Sequence, residues 1–232
     1  MNKYFLIGLI LLSSLYAAQT GLEAFKNKEY KKAFSLYKKE AQSGNSVSQN
    51  ALSYLYFNGI GTSKNIEEGV YWLKKSAHNM DAVAQYDLAM MYMDGHNVKQ
   101  DSKLAFTWLD SASDLGNANA QYNLALMYYE GNSVDINVTK SAQLLEKAAI
   151  GGNKRALENV GIVYMQLLKF DKAIQWLKVN AHNGDTNAYY LLAEAYCQQE
   201  KFEDAKIWAK KSIKAGNVDA IKLYEKYNLE KY

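Results

Sequence analysis

From Gly21 onward, apolar residues recur at steps of three and four, the period of helices that bury a single stripe. In Gly21–Asn45, Leu22 and Phe25 predict a short first helix, and Asn27-Lys28 predicts a tight turn. Ala33, Leu36, Tyr37 and Ala41 line one side of a second helix, and Gly44 stands where a helix stops. The pair predicts an antiparallel hairpin. Five further units with the same pattern begin at Ser46, Ala82, Ala118, Lys154 and Thr186. Shifted by 36 residues, Ala82–Asn117 reads almost unchanged as Ala118–Asn153. A fixed period between about 20 and 50 residues marks a repeat architecture.

Each slot of the repeat has a physical reading. Tyr56, Tyr92, Tyr128, Tyr164 and Tyr196 are spaced by 36, 36, 36 and 32 residues. Four residues before each stands Leu52, Leu88, Leu124, Val160 or Leu192, followed by Ser53, Ala89, Ala125, Gly161 or Ala193. A branched residue with a small neighbour predicts close approach of a second helix. That helix carries its own small residue (Gly69, Ala105, Ser141, Ala173, Ala205), and three positions on come Trp72, Trp108, Leu144, Trp176 and Trp208. All four tryptophans share this slot, which reads as core packing. Units end on Gly44, Gly116, Gly152, Gly184 and Gly216; only Met80 departs, and it is expected to be locally strained or part of a longer turn. Gly59, Gly95 and Gly131 open long polar loops, which short turns at Leu168 and Glu200 replace in the 32-residue units. Val218–Tyr232 supplies a closing helix. The chain contains no proline, as a nearly all-helical protein would.

Residues 1–18 differ from the rest. Lys3 precedes an apolar run from Tyr4 to Leu12, and small neutral residues lead to Ala17-Ala18, the layout of a secretory signal peptide. An uncleaved anchor is the alternative, although the uncharged run falls short of the ~20 residues a spanning helix needs. The reading is an exported protein, periplasmic or extracellular, that meets membrane only through this segment. Net charge is +3, too small to point to nucleic acid. The one cysteine, Cys197, forms no internal disulfide and reads as a small buried hydrophobe.

The pattern A-x-x-Q-Y-x-L-x-x-M-Y-x-x-G, a loop, then K-x-A-x-x-W-L-x-x-A-x-x-x-G resembles the SEL-one-like repeat family, a relative of the tetratricopeptide repeats. The resemblance is close over 46–153, three repeats of 36 residues. The hairpin at 19–45 and the two shorter repeats at 154–217, with KFDKAIQWLK and KFEDAKIWAK, look tetratricopeptide-like, and 218–232 caps the array. The implied fold is all-α, a right-handed superhelical solenoid of antiparallel helical hairpins. The implied function is a monomeric scaffold that binds a protein or peptide through its concave groove, with no cofactor and no catalysis.

The resemblance places the first helix of each hairpin on the concave side. A second stripe on these helices, pointing away from the Leu and Tyr slots, is apolar and aromatic in mid-array. Tyr54, Tyr86, Met90, Tyr122, Tyr129 and Tyr190 are therefore the candidate binding residues. The competing expectation is that curvature buries this stripe between neighbouring first helices.

Catalytic patterns are sparse. His78, His96 and His182 show no metal-ligand spacing and read as solvated turn residues. Some cysteine-rich exported relatives are linked to β-lactam binding or hydrolysis, so a β-lactamase-like or peptidoglycan-associated enzyme is the alternative function. Ser35 and Lys38 form one S-x-x-K, but S-D-N and K-T-G are both missing, as are the paired cysteines of those relatives. A secreted effector that binds host proteins is a second alternative. Asp135-x-Asn137-x-Thr139 fits an N-glycosylation acceptor, making Asn137 a candidate modification site.

Overall fold

The computed structural model describes residues 20–232, so the signal peptide read at 1–18 lies outside the described residues. Residues 20–26 form helix α1. There follow α2 (Tyr30–Gln42), α3 (Ser46–Asn58), α4 (Ile66–His78), α5 (Ala82–Asp94), α6 (Ser102–Asp114) and α7 (Ala118–Glu130). Then come α8 (Val138–Ile150), α9 (Lys154–Gln166), α10 (Phe170–His182), α11 (Asn187–Gln198), α12 (Phe202–Lys214) and α13 (Val218–Lys226). A 3-10 turn at Leu229–Lys231 ends the order, and the described residues contain no strand. The fold is an all-α repeat solenoid. The chain divides into two compact units, Met1–Ala120 and Gln121–Tyr232. In the first, consecutive helices from α2 to α6 pack on one another; in the second, those from α8 to α13 do.

Each hairpin closes on one carbonyl whatever its loop length. In the long-loop hairpins the N–H groups of Asn65, Asp101 and Asn137 donate to the carbonyls of Tyr56, Tyr92 and Tyr128 at 2.9, 2.9 and 2.7 Å. In the short ones Glu29, Lys169 and Lys201 donate to Ala24, Tyr164 and Tyr196 at 2.9, 3.0 and 2.9 Å. The change of period from 36 to 32 is a change in the chain between two fixed atoms. The longer chain supplies a side-chain cap as well: Asn65, Asp101 and Asn137 accept from backbone N–H groups of the next helix's first turn. Glu29, Lys169 and Lys201 make no such bond.

Between hairpins the chain turns through a six-residue closure. The N–H groups of Asn45, Asp81, Asn117, Asn153, Asp185 and Asn217 each reach back five residues, and the residue before each reaches back three. This is the Schellman arrangement, and it requires a left-handed residue at its centre. Gly44, Gly116, Gly152, Gly184 and Gly216 adopt φ between +86° and +97°. A Cβ at any of them would meet nothing within 4 Å, so conformation and not space selects glycine here. Met80 holds the same place at φ +61° and is 68% exposed, which favours the first of the two expectations, local strain, over a longer turn. The next residue then caps the following helix. Asn45, Asp81, Asn117, Asn153 and Asn217 accept through their side chains from Ser48, Ala84, Ala120, Ala156 and Ala220 N–H.

The core refines the sequence reading at the tryptophan slot. Trp72 is buried, but Trp108, Trp176 and Trp208 are half-buried. The deep position is the next residue: Leu73, Leu109, Leu145, Leu177 and Ala209 are at most 2% exposed. One step along a helix rotates a side chain by about 100°, which moves the indoles to the edge of the interface. There they keep polar neighbours. Trp72 Nε1 donates to Glu68, and the Lys211 ammonium lies 4.0 Å from the Trp208 ring centre. The Leu and Tyr slots are buried throughout except for half-buried Tyr92. Gly161 permits the close approach expected of the small slot, since a Cβ there would lie 2.8 Å from Leu177 Cγ.

Successive hairpins are also tied by polar contacts. Gln49 and Gln85 are buried, and their Nε2 atoms donate to the Ala41 and Ala77 carbonyls of the preceding helix, both at 3.0 Å. Two residues after the tryptophan slot, Lys74 and Lys178 lie over the Tyr92 and Tyr196 rings of the next hairpin. Glu146 occupies that slot in α8 and reverses the polarity. It accepts from Tyr164 Oη at 2.7 Å, Lys172 Nζ at 2.8 Å and Trp176 Nε1 at 3.3 Å. Burial pushes the Glu146 carboxyl up, but these three donors and the Lys172 charge hold it net below the usual carboxylate range.

Three substitutions test these closures and ties. Met80→Gly relieves the left-handed methionine and raises stability by about 0.5–1 kcal/mol, read as a higher urea midpoint; Gly152→Ala lowers it by about 1 kcal/mol. Glu146→Gln costs about 1–2 kcal/mol at neutral pH. Because the folded carboxyl is depressed, its contribution is full above the unfolded value near ~4.3 and is lost as pH falls through the folded value. Urea midpoints of wild type and variant should therefore converge as pH falls through the folded value.

Candidate functional site

A concavity lies within the first unit, where α1, α3 and α5, the first helices of three successive hairpins, line a groove of about 1100 Å³. Helical spacing sets what each presents. Leu22 and Phe25 come from α1; Asn50, Tyr54 and Phe57 lie at steps of four and three on α3; Asp87 and Met91 lie four apart on α5. Leu55 and Leu73 reach the groove from the buried side, while Lys64 and His96 stand exposed on the loops after α3 and α5. The lining is mainly apolar and aromatic. Tyr54 is 53% exposed, with Phe25 edge-on to its ring at 6.4 Å between centres. The polar groups of α3 are largely committed elsewhere: Asn50 Nδ2 donates to Asp81 Oδ1 at 3.4 Å, and Asn58 Nδ2 to the Tyr54 carbonyl at 2.8 Å.

Asp87 is the exception. It is half-buried, and no donor among the described residues reaches its carboxylate. Burial, and secondarily the like charge of Asp81, pushes its pKa up from the ordinary aspartate value. Burying a carboxylate without a partner disfavours its ionised form.

Of the six candidate residues, Tyr54 lines this groove. Tyr86 and Met90 are half-buried on α5, whose groove-lining residues are Asp87 and Met91. In the second unit Tyr122 and Tyr190 are half-buried, and Tyr129 is 40% exposed with its hydroxyl on Gln166 at 3.0 Å. The stripe divides residue by residue between exposed and half-buried positions.

The remaining sequence candidates stand apart. Ser35 and Lys38 are both exposed on α2, and the Lys38 ammonium lies over the Phe34 ring at 5.8 Å. Cys197 is 3% exposed, and burial, with Glu194 nearby, pushes its thiol up to about 11, so it stays protonated at neutral pH. His78 is exposed, yet its ring meets Trp108 edge-on at 5.1 Å and its Nδ1 lies 2.7 Å from the Lys74 carbonyl. No group of three His, Cys, Asp or Glu placed to hold a metal occurs among the described residues. Asn137 is exposed and caps α8, accepting from Lys140 N–H at 2.9 Å, so the acceptor-like pattern coincides with a cap slot shared with Asn65 and Asp101.

The repeat pattern does not single out Asp87 or Phe25 as groove residues, because neither recurs from unit to unit. The signal for Asp87 was a departure, since its slot in the other units holds Ala51, Asn123, Asn159 and Leu191.

Comparison with known proteins agrees with the repeat fold. The chain is 28% identical to a Sel1 repeat protein from Oxalobacter formigenes, covering 89% of this chain and 86% of that one, with a TM-score of 0.64. It is 25% identical to c5321, a protective antigen present in uropathogenic Escherichia coli strains displaying an SLR fold, with a TM-score of 0.63. That match covers 91% of this chain and 48% of the antigen, so the chain spans just under half of it. No curated protein sequence matches the chain at a significant level. The sequence model of the Sel1 repeat matches residues 7–45, 46–79, 82–117 and 118–153, leaving the two short hairpins beyond its last match. These four matches cover more than half of the chain, which therefore belongs to the Sel1 repeat family.

Proposed function

We propose that the protein is an exported, non-catalytic scaffold that binds a protein or peptide partner through the groove of α1, α3 and α5. Sel1 and tetratricopeptide-like repeats are scaffolds typical of protein–protein interaction. The observation that carries the reading to a particular face is the apolar groove itself, with Tyr54 at 53% exposure beside Phe25 and Phe57. Water-exposed aromatic surface of this kind costs solubility unless something covers it, and rigid aromatic rings anchor interfaces at low entropic cost. Export rests on the charge and apolar layout of residues 1–18.

A photo-crosslinking residue at position 54 should capture a partner in the source cell, while one at Tyr71, exposed at 48% on α4 and absent from the groove lining, should not. Tyr54→Ala should weaken that complex about five- to thirtyfold, measured by titration, with the thermal midpoint unchanged. Equal capture from both positions, or unfolding of the variant, would overturn the assignment of this face. Partition of the protein into the cytoplasmic fraction would overturn export.

A further inference from the structure

The groove is not chemically uniform, and the one carboxylate among its described lining residues narrows what can fill it. Asp87 lines the same groove as Phe25, Tyr54, Phe57 and Met91, with no hydrogen-bond donor from the described residues. The amides of Asn50 and Asn58, which also line the groove, are spent on Asp81 and on a backbone carbonyl. The charged neighbour that acts on Asp87 is Asp81, of the same sign; Lys64 and His96 stand exposed on the loops. Packing does not demand a carboxylate at this slot, because the other units fill it with Ala51, Asn123, Asn159 and Leu191. A half-buried carboxylate is costly alone and strongly attracts a cation that arrives with apolar surface to exclude water.

Resting on the groove-binding reading above, we infer that the groove takes an apolar peptide segment carrying one basic side chain, whose cation seats on Asp87. The aliphatic stem of a lysine or arginine lies along the apolar lining while its head pairs with the carboxylate. Its neighbours in the segment occupy the space beside Tyr54 and Phe57. The single carboxylate sets the register of the segment, and the apolar lining supplies the contact area.

The test uses full-chain protein and two fluorescent nonapeptides of leucine, phenylalanine and glycine, one with a central lysine and one with norleucine there. Anisotropy titrations at neutral pH should show the lysine probe binding about tenfold tighter or more, the difference made by one charge-assisted bond. Asp87→Asn should bring the two probes within about twofold of each other and leave the norleucine probe unchanged. Its thermal midpoint should equal or exceed that of wild type, since asparagine already fills the slot at Asn123 and Asn159. Equal binding of both probes, lost in Tyr54→Ala, would overturn the cation inference and leave the groove reading standing. Failure of both probes to bind would overturn both. Protease protection of residues 1–19 that the lysine probe relieves would assign the groove to the chain's own leader and overturn the inference. A sedimenting dimer broken by Asp87→Asn would assign it to a second copy, with the same consequence.

Discussion

The constraint on which the structure depends is that every hairpin must return its chain to fixed backbone atoms at both ends. Within a hairpin, the first N–H before the second helix comes back to the carbonyl of the tyrosine slot, at 2.7–3.0 Å for long and short loops alike. Between hairpins, the Schellman closure fixes where the next helix begins, and the residue after it caps that helix. Short 13-residue helices are marginal alone, so their ends matter as much as their faces. With both ends pinned, side chains fall into register and one packing solution can be repeated.

Repetition alone would leave hairpins free to slide. Gln49 and Gln85 prevent this by reaching the last-turn carbonyls of Ala41 and Ala77, which also accept the closing N–H groups of Gly44 and Met80. A buried amide that misses its carbonyl loses far more than the bond contributes when made, so these contacts specify register more than they add stability. Glu146 serves a related purpose between α8 and the following hairpin. It gathers a phenol, an ammonium and an indole N–H onto one carboxylate where other hairpins lay a lysine over a tyrosine.

Much of this was legible in the sequence. The helix order, the closing glycines, the strain at Met80 and the burial of the Leu and Tyr slots follow from residue type at a fixed period, because each answers a local demand of backbone or packing. The tryptophan slot packs in or against the core as its spacing implies, but the interface centre belongs to Leu73, Leu109, Leu145 and Leu177 one step further round. An indole carries an N–H that needs a partner, and the edge of an interface provides one. The roles of Gln49 and Gln85 were hidden for a different reason. A polar residue at a constant position reads as surface until the carbonyl it meets, eight residues back across a turn, is known.

The candidate site lay in the complement of what the period reveals. A repeat sequence states most plainly what every hairpin shares, and what every hairpin shares serves packing or closure. Function specific to one surface has to be written in positions that differ from unit to unit without harming the fold. Asp87 is such a position: its slot accepts alanine, asparagine and leucine elsewhere, so its carboxylate answers no packing requirement, and it opens onto the groove of α1, α3 and α5. Tyr54 is another, exposed where the same slot in α5 holds the half-buried Met90. In a solenoid the shared residues build the wall, and the residues that break the pattern without breaking the packing give each stretch of that wall its own chemistry.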